Sequence, residues 1–231
     1  MLQAGKDEDG MSEPLKVRGM VLRAAPSGEY DRRTVILTKE RGRITAFARG
    51  ARKPKSPLLA STAPFVFGTF TVYEGRDAYT LVQAEIEQYF MDIREDFEKA
   101  CYGCYFMEVA EYYTRENLDG GPMLNLLYVN LRALQDARLD YELVRCIFEM
   151  KAMVQNGEYP YETAEDPSLP KATRCAIAYV LTAPLQKLYG FTLTPEAFRE
   201  FRRVQNHFNR YLDRNFKSLD ILKTMVETKR E

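Results

Sequence analysis

One histidine and four cysteines are all that 231 residues offer in the way of soft metal ligands and ready nucleophiles. The lone His207 leaves no histidine constellation for metal or acid–base work, and it lies in a basic stretch with Arg199, Arg202, Arg203 and Arg210. No serine or cysteine stands in a nucleophile motif, and neither a phosphate-cradling glycine loop nor a dinucleotide fingerprint is present. The four cysteines lack framework spacing, which argues against a disulfide scaffold and for a reducing, cytoplasmic setting. Cys101 and Cys104 have the spacing of half a zinc site, but they fall inside an apparent helix, and Cys146 and Cys175 are isolated. Small helix-packing residues are the better reading, so no metal or other cofactor is expected. No apolar run approaches the ~20 residues of a membrane span. The first ten residues are polar and acidic, unlike a secretion signal. Met11 offers a second start, and residues 1–14 read as a mobile extension.

The chain also lacks net charge, with 33 basic and 33 acidic residues. That balance hides an asymmetry. Residues 15–82 hold thirteen Lys and Arg against five Asp and Glu, an excess of eight cations, and the remainder carries the matching excess of eight anions. A basic module joined to an acidic one is therefore expected.

The two modules have different hydrophobic periods. Lys16–Ala25, Arg32–Thr38, Arg43–Arg49, Phe65–Tyr73 and Ala78–Glu87 are short, rich in β-branched and aromatic residues, and separated by turn signals. Five such strands predict a small barrel, which leaves no open sheet edge. Gly50–Pro64, with three prolines, breaks the pattern. The aromatics Phe65, Phe67, Phe70, Tyr73 and Tyr79 are expected mostly inside the barrel, and Tyr30 in a turn.

From Ile93 onward the period is helical. Helices are expected over Ile93–Arg115, with Asp92 as its N-cap, and over Met123–Asp136, Tyr141–Gln155, Ala172–Leu188, Pro195–Asn215 and Ser218–Thr228. Thr194-Pro195-Glu196 is a strong helix start, and Asn156-Gly157 a strong stop. Glu158–Pro170, with three prolines and four acidic residues, reads as a loop. The fold expected is α+β: a five-stranded barrel over 15–88, then an all-helical domain over 89–231. Asp92, Glu95, Asp96 and Glu98 crowd one helix start, where capping and dipole compensation explain them better than acid–base chemistry.

The segment Arg41–Lys55 holds six basic residues and no acidic one. Alternation along its strand puts Ile44, Ala46 and Ala48 on one face and Arg43, Thr45, Phe47 and Arg49 on the other. If the apolar set faces the core, Phe47 stands between two arginines on the outer wall. Cations for phosphate and an aromatic face for a base are the means of holding single strands. Arg52, Lys53 and Lys55 extend the charge into a loop whose small residues admit a phosphate backbone. The same features also suit an ordinary solvated face, with Phe47 packed beneath a loop. Neither a recognition helix nor zinc-finger spacing is present, so any nucleic-acid binding would be sequence-independent.

Several short segments, in order, resemble the bacterial RecO family. They are Val17–Leu22, Gly28-Glu29-Tyr30-Asp31, Thr38–Gly42, Ala48–Ser56 and Pro64-Phe65 in the first half. In the second they are Arg145–Lys151 with Asn156-Gly157, Tyr211-Leu212, and Phe216–Leu219 with Leu222. The resemblance implies an N-terminal OB fold and a C-terminal helical domain. It implies a DNA repair protein, nucleoid-associated and not an enzyme, that binds single- and double-stranded DNA and anneals complementary strands. It also implies RecR and single-strand binding protein as partners in loading RecA. Arg41, Arg43, Arg49, Arg52, Lys53 and Lys55 fall on the family's basic strand and loop and so inherit the DNA role. Arg199, Arg202, Arg203 and Arg210 form a possible second contact with DNA or with an acidic protein tail. Many relatives carry a four-cysteine zinc element after the glycine matching Gly157, whereas 158–174 here contains no cysteine, which implies that the element is lost. Two competing readings are an OB-fold adaptor that binds only an acidic protein, and a nuclease or transferase whose site lacks any familiar pattern.

Overall fold

The computed structural model describes residues 13–208, 210, 212 and 216–228. Residues 1–12, and Tyr211 within the expected closing element, lie outside the described residues. The chain divides into two compact units. One comprises the residues up to Phe90 together with Thr114–Leu124, and the other Met91–Tyr113 with Asn125 onward.

The first unit is a closed five-stranded barrel of β1 (Leu15–Ser27), β2 (Asp31–Thr38), β3 (Gly42–Ala48), β4 (Phe67–Glu74) and β5 (Tyr79–Gln88). The strand order is β1-β2-β3-β5-β4, and β4 pairs back onto β1. All pairings are antiparallel except β3 with β5. This is the OB-like topology, as expected. Gly19 of β1 sits opposite Gly68 of β4, and each lies close against the backbone of its other neighbour, β2 and β5 respectively. A Cβ on Gly19 would lie 2.4 Å from the Leu37 carbonyl oxygen, and one on Gly68 would lie 2.3 Å from that of Glu85. No other residue fits either place.

Alternation fills the interior. Val17, Val21, Ile36, Ile44, Ala46, Ala48, Phe70, Val72, Tyr79 and Leu81 form one buried cluster. Phe67 instead lies on the outer side, with the Arg18 guanidinium 5.0 Å from its ring centre. Tyr73 is half-buried. The proline-rich connection between β3 and β4 holds a single helical turn, α1 (Leu58–Ser61), which no hydrophobic period announced. Ala51, Leu58 and Ala63 of this connection join the barrel cluster and so close one end of it. Arg32 secures the plug, its Nη1 donating to the Leu59 carbonyl at 3.0 Å and to Thr62 Oγ1 at 2.9 Å.

The second unit is helical. The single helix expected over 93–115 is two, α2 (Met91–Glu95) and α3 (Phe97–Tyr113). The cap is Asp96, not Asp92. Asp96 Oδ1 accepts the Lys99 amide at 3.0 Å, which starts a new helix mid-pattern. Asp92 lies within α2 and accepts from Gln135 Nε2 at 2.6 Å. α4 (Gly121–Leu134) follows, its first turn belonging to the barrel unit. α5 (Tyr141–Gln155) has the expected bounds. Asp140 caps it by accepting from the Glu142 and Leu143 amides, and Gly157 at φ +71° ends it. Within the expected loop lies a 3₁₀ turn, Tyr161–Glu165. α6 (Lys171–Thr182) stops short of the expected Leu188 because Pro184 cannot donate to the helix ladder, and a 3₁₀ turn, Leu185–Lys187, follows. α7 (Pro195–Phe208) begins at the Thr194 cap, and α8 (Lys217–Thr228) completes the unit. The part of the expected helix beyond Phe208 falls largely outside the described residues. Among the described residues no helix is long and apolar enough to cross a membrane.

The helical core contains charge. Arg145, 5% exposed, places Nη1 2.7 Å from Oε1 of Glu149, which is 2% exposed, and Nη2 2.9 Å from Oε2 of Glu142. The Tyr105 hydroxyl donates to Glu149 at 2.7 Å, and the Tyr102 hydroxyl to Glu142 at 2.8 Å. Burial alone would lower the arginine's pKa, but the two carboxylates more than offset it and hold the guanidinium charged. Burial likewise opposes the charge on Glu142, and Arg145 overrides it, holding this carboxyl below its ordinary range.

Two predictions follow from this network. Arg145→Met strands buried Glu149 and is expected to destabilise the helical unit by about 3–5 kcal/mol in urea unfolding, with partial recovery in Arg145→Met/Glu149→Leu. Because the folded pKa of Glu142 is depressed, its contribution is present above the ordinary glutamate pKa near ~4.3 and is lost as pH falls through the folded value. The wild-type thermal midpoint should therefore drop in acid more steeply than that of Glu142→Gln.

Candidate nucleic-acid interface

β3 presents its side chains in the alternation read from the sequence. Ile44, Ala46 and Ala48 have no exposed surface, Arg43, Thr45 and Phe47 are half-buried on the opposite face, and Arg49 is exposed. The hairpin register places Arg33 of β2 opposite Phe47, and Ala25 of β1 opposite Arg33. A cation thus stands beside the aromatic ring's strand position on the outer wall. Arg32, one residue away, points to the plugged end of the barrel instead. The sequence reading missed Arg33, although the pattern contained it: a tight turn pairing Thr38 with Gly42 sets 33 against 47.

Beyond β3 the loop 49–56 is built by backbone contacts. Gly50, at φ +64°, donates its amide to Asp31 Oδ1 at 2.7 Å. Ala51 is buried in the barrel cluster and anchors the loop. The Arg52 amide donates to the Tyr30 carbonyl at 2.8 Å. Arg52 Nη1 donates to the carbonyls of Gly28 at 3.2 Å and Glu29 at 3.1 Å. Arg52, expected as a phosphate ligand, is therefore also the latch between this loop and the β1–β2 turn. Lys53 Nζ lies 5.5 Å from the centre of the Tyr30 ring. Lys55 is exposed and holds a left-handed backbone, φ +63°.

The six cations of Arg41–Lys55 do not form one cluster. Arg41 and Arg43 lie at the opposite end of β3 from Arg49, roughly 20 Å away at ~3.3 Å per residue. Arg41 shares its charge with Glu74, with Nη2 4.0 Å from Oε2. At the other end Arg33, Arg49, Arg52, Lys53 and Lys55 are exposed, and among the described residues none has a carboxylate within ion-pair distance. With Tyr30 and Phe47 they lie at the end of the barrel where β3 runs into the loop 49–56.

The second basic group is more balanced. On α7, Arg199 faces Glu196 at 3.8 Å and Arg203 faces Glu200 at 2.9 Å, each one turn earlier. Arg202 sits 6.0 Å from the centre of the Phe198 ring, and Arg210 is exposed beyond the helix. The four cysteines are free thiols. Cys101 and Cys146 are buried, Cys104 half-buried and Cys175 exposed. Burial pushes the Cys104 thiol up to about 11, so it is protonated at neutral pH. Among the described residues no three His, Cys, Asp or Glu side chains gather as a metal site would require.

Comparison with known proteins agrees with the architecture. The family model described as "Recombination protein O N terminal" matches residues 11–90, and "Recombination protein O C terminal" matches residues 94–165. A DNA repair protein RecO from Alkaliphilus metalliredigens is 37% identical over 150 residues, 65% of this chain and 61% of that protein. One from Acetivibrio thermocellus is 27% identical over 248 aligned positions, 93% of this chain and 98% of that protein. One from Bacillus subtilis is 32% identical over 145 residues, 63% of this chain and 56% of that protein. The chain thus spans about three fifths of the first relative's length and nearly all of the second's. Both halves of the family are matched in order, the first on a five-stranded barrel and the second on helices, and the chain belongs to the RecO family of recombination proteins.

Proposed function

We propose that this protein is a non-catalytic mediator of recombination in DNA repair. It binds single- and double-stranded DNA on the outer wall of its barrel and anneals complementary strands. With RecR it helps to place RecA on DNA coated by single-strand binding protein. The observation that carries this reading is the exposed group Arg33, Arg49, Arg52, Lys53 and Lys55, none of which has a carboxylate within ion-pair distance among the described residues. Family membership supports it, the relatives being named DNA repair proteins.

The chemistry needed is screening. Two strands repel through their phosphates, and a cationic surface that covers phosphates lowers the barrier to pairing without making or breaking a covalent bond. Such contacts are indifferent to sequence, as annealing requires. The helical unit, with the acidic excess, is the part proposed to meet protein partners; RecR and single-strand binding protein are assigned to no particular residues.

Two measurements check this. Arg33, Arg49, Lys53 and Lys55 acting on phosphates give a log–log slope of duplex affinity against salt of about −3 to −4. Arg49→Glu with Lys55→Glu should reduce its magnitude by about two and weaken binding to every sequence alike. A slope near zero, or a loss confined to one sequence, contradicts the proposal, and an adaptor that binds only acidic protein would leave the oligonucleotide free. In a strand-annealing assay the wild type should accelerate pairing of complementary oligonucleotides and the double reversal should not. Labelled DNA incubated with Mg²⁺ should stay intact throughout, since cleavage would reveal an enzyme.

A further inference from the structure

Tyr30 projects from the β1–β2 turn with 44% of its surface exposed, among the larger apolar exposures on the barrel unit. Nothing in barrel packing calls for an aromatic ring there. Its surroundings are nevertheless organised. Arg52 fixes three successive carbonyls of the turn: its guanidinium donates to those of Gly28 and Glu29, and its amide to that of Tyr30. The Lys53 ammonium stands 5.5 Å from the ring centre. A hydrogen bond with Glu29 raises the pKa of the hydroxyl. Phe47, the aromatic singled out from sequence, is half-buried in its strand and offers less face.

We infer that Tyr30 is the base-stacking platform of the DNA surface, held in place by Arg52 and flanked by the phosphate-binding Lys53. The inference rests on the DNA-binding reading above and deepens it by assigning single-strand preference to one side chain. A base in a duplex is already stacked on its neighbours, whereas an unpaired base offers a free face to an exposed ring. Cations that meet phosphates do not distinguish the two forms in this way. Arg52 acts here as a positioning residue, spending its fork of donors on carbonyls rather than on phosphate.

The chain contains no tryptophan, so Tyr30→Trp introduces a single indole whose emission reports on this position alone. On saturation with an oligothymidylate its fluorescence should be strongly quenched, and with a blunt duplex it should change little. Tyr30→Ala should weaken single-strand binding about five- to a hundred-fold and duplex binding less than twofold, while Tyr30→Phe stays near wild type. Adding Arg52→Lys to Tyr30→Trp keeps the charge but removes the fork. It should reduce the quench with little change in the salt slope, and an unaltered quench overturns the positioning role. If the Tyr30→Trp protein binds the oligonucleotide with normal affinity and unaltered emission, the platform is wrong while the cationic surface stands. If the wild-type protein binds neither form of DNA, the platform and the DNA-binding reading fall together. Should Tyr30→Ala misfold by circular dichroism, the tryptophan variant decides alone.

Discussion

β3 is hydrogen-bonded along both edges, antiparallel to β2 and parallel to β5, and every second side chain is committed to the barrel interior. That commitment puts Arg43, Thr45, Phe47 and Arg49 outside. A slip of one residue would bury two arginines and expose Ile44, a cost of several kcal/mol for each unpaired charge. The candidate surface is thus held by the apolar face behind it. Ala46 and Ala48 are small because Phe70, Tyr79 and Leu81 share the same cluster. Arg33 depends on the same arrangement, since the β2–β3 register is what sets it across from Phe47.

The connection after β3 extends this logic to irregular backbone. Polar loops have little to hold them in shape, yet this one is tied at three points: Gly50 to Asp31, Ala51 into the core, and Arg52 to the β1–β2 turn. Each tie reaches back to a strand or to the turn beside it. The cations on either side of these ties, Arg49 before them and Lys53 and Lys55 after, therefore leave from a fixed frame rather than a free chain, and less conformational entropy would be lost when they meet a ligand.

Periodicity carried most of the architecture. Alternation located all five strands and the inward set of β3, and caps such as Asp140 and Thr194 are local signals that survive folding. What escaped were contests between neighbouring signals. Asp92 and Asp96 both suit a helix start, and the second, by accepting the Lys99 amide, restarts a helix that the apolar period runs straight through. Pro184 outweighed a helical period whose apolar positions extend to Leu188. The site was harder to read, because counting cations cannot tell what each one faces. Arg32 and Arg33 are adjacent and alike in the sequence, yet one braces the barrel plug and the other stands on the outer wall. Arg52 looks like a phosphate ligand until its partners prove to be carbonyls far back in the chain. Tyr30 looks like a turn residue until the loop that approaches it is seen.

Zero net charge is no obstacle to a polyanion partner. At physiological ionic strength fields decay over ~8 Å, so a phosphate near Lys53 senses the cations around it and little of the anionic excess elsewhere. Neutralisation matters only where it is local. Arg41 has Glu74, and Arg199 and Arg203 have their own helix's glutamates, so each offers a phosphate less than its formal charge suggests. Screening weakens these surface pairs without abolishing them. Among the described residues Arg49, Arg52, Lys53 and Lys55 have no carboxylate within ion-pair distance, so under the proposed reading each would offer a phosphate more of its charge than those paired cations do. Local balance, rather than the total, would set where a polyanion settles on such a surface.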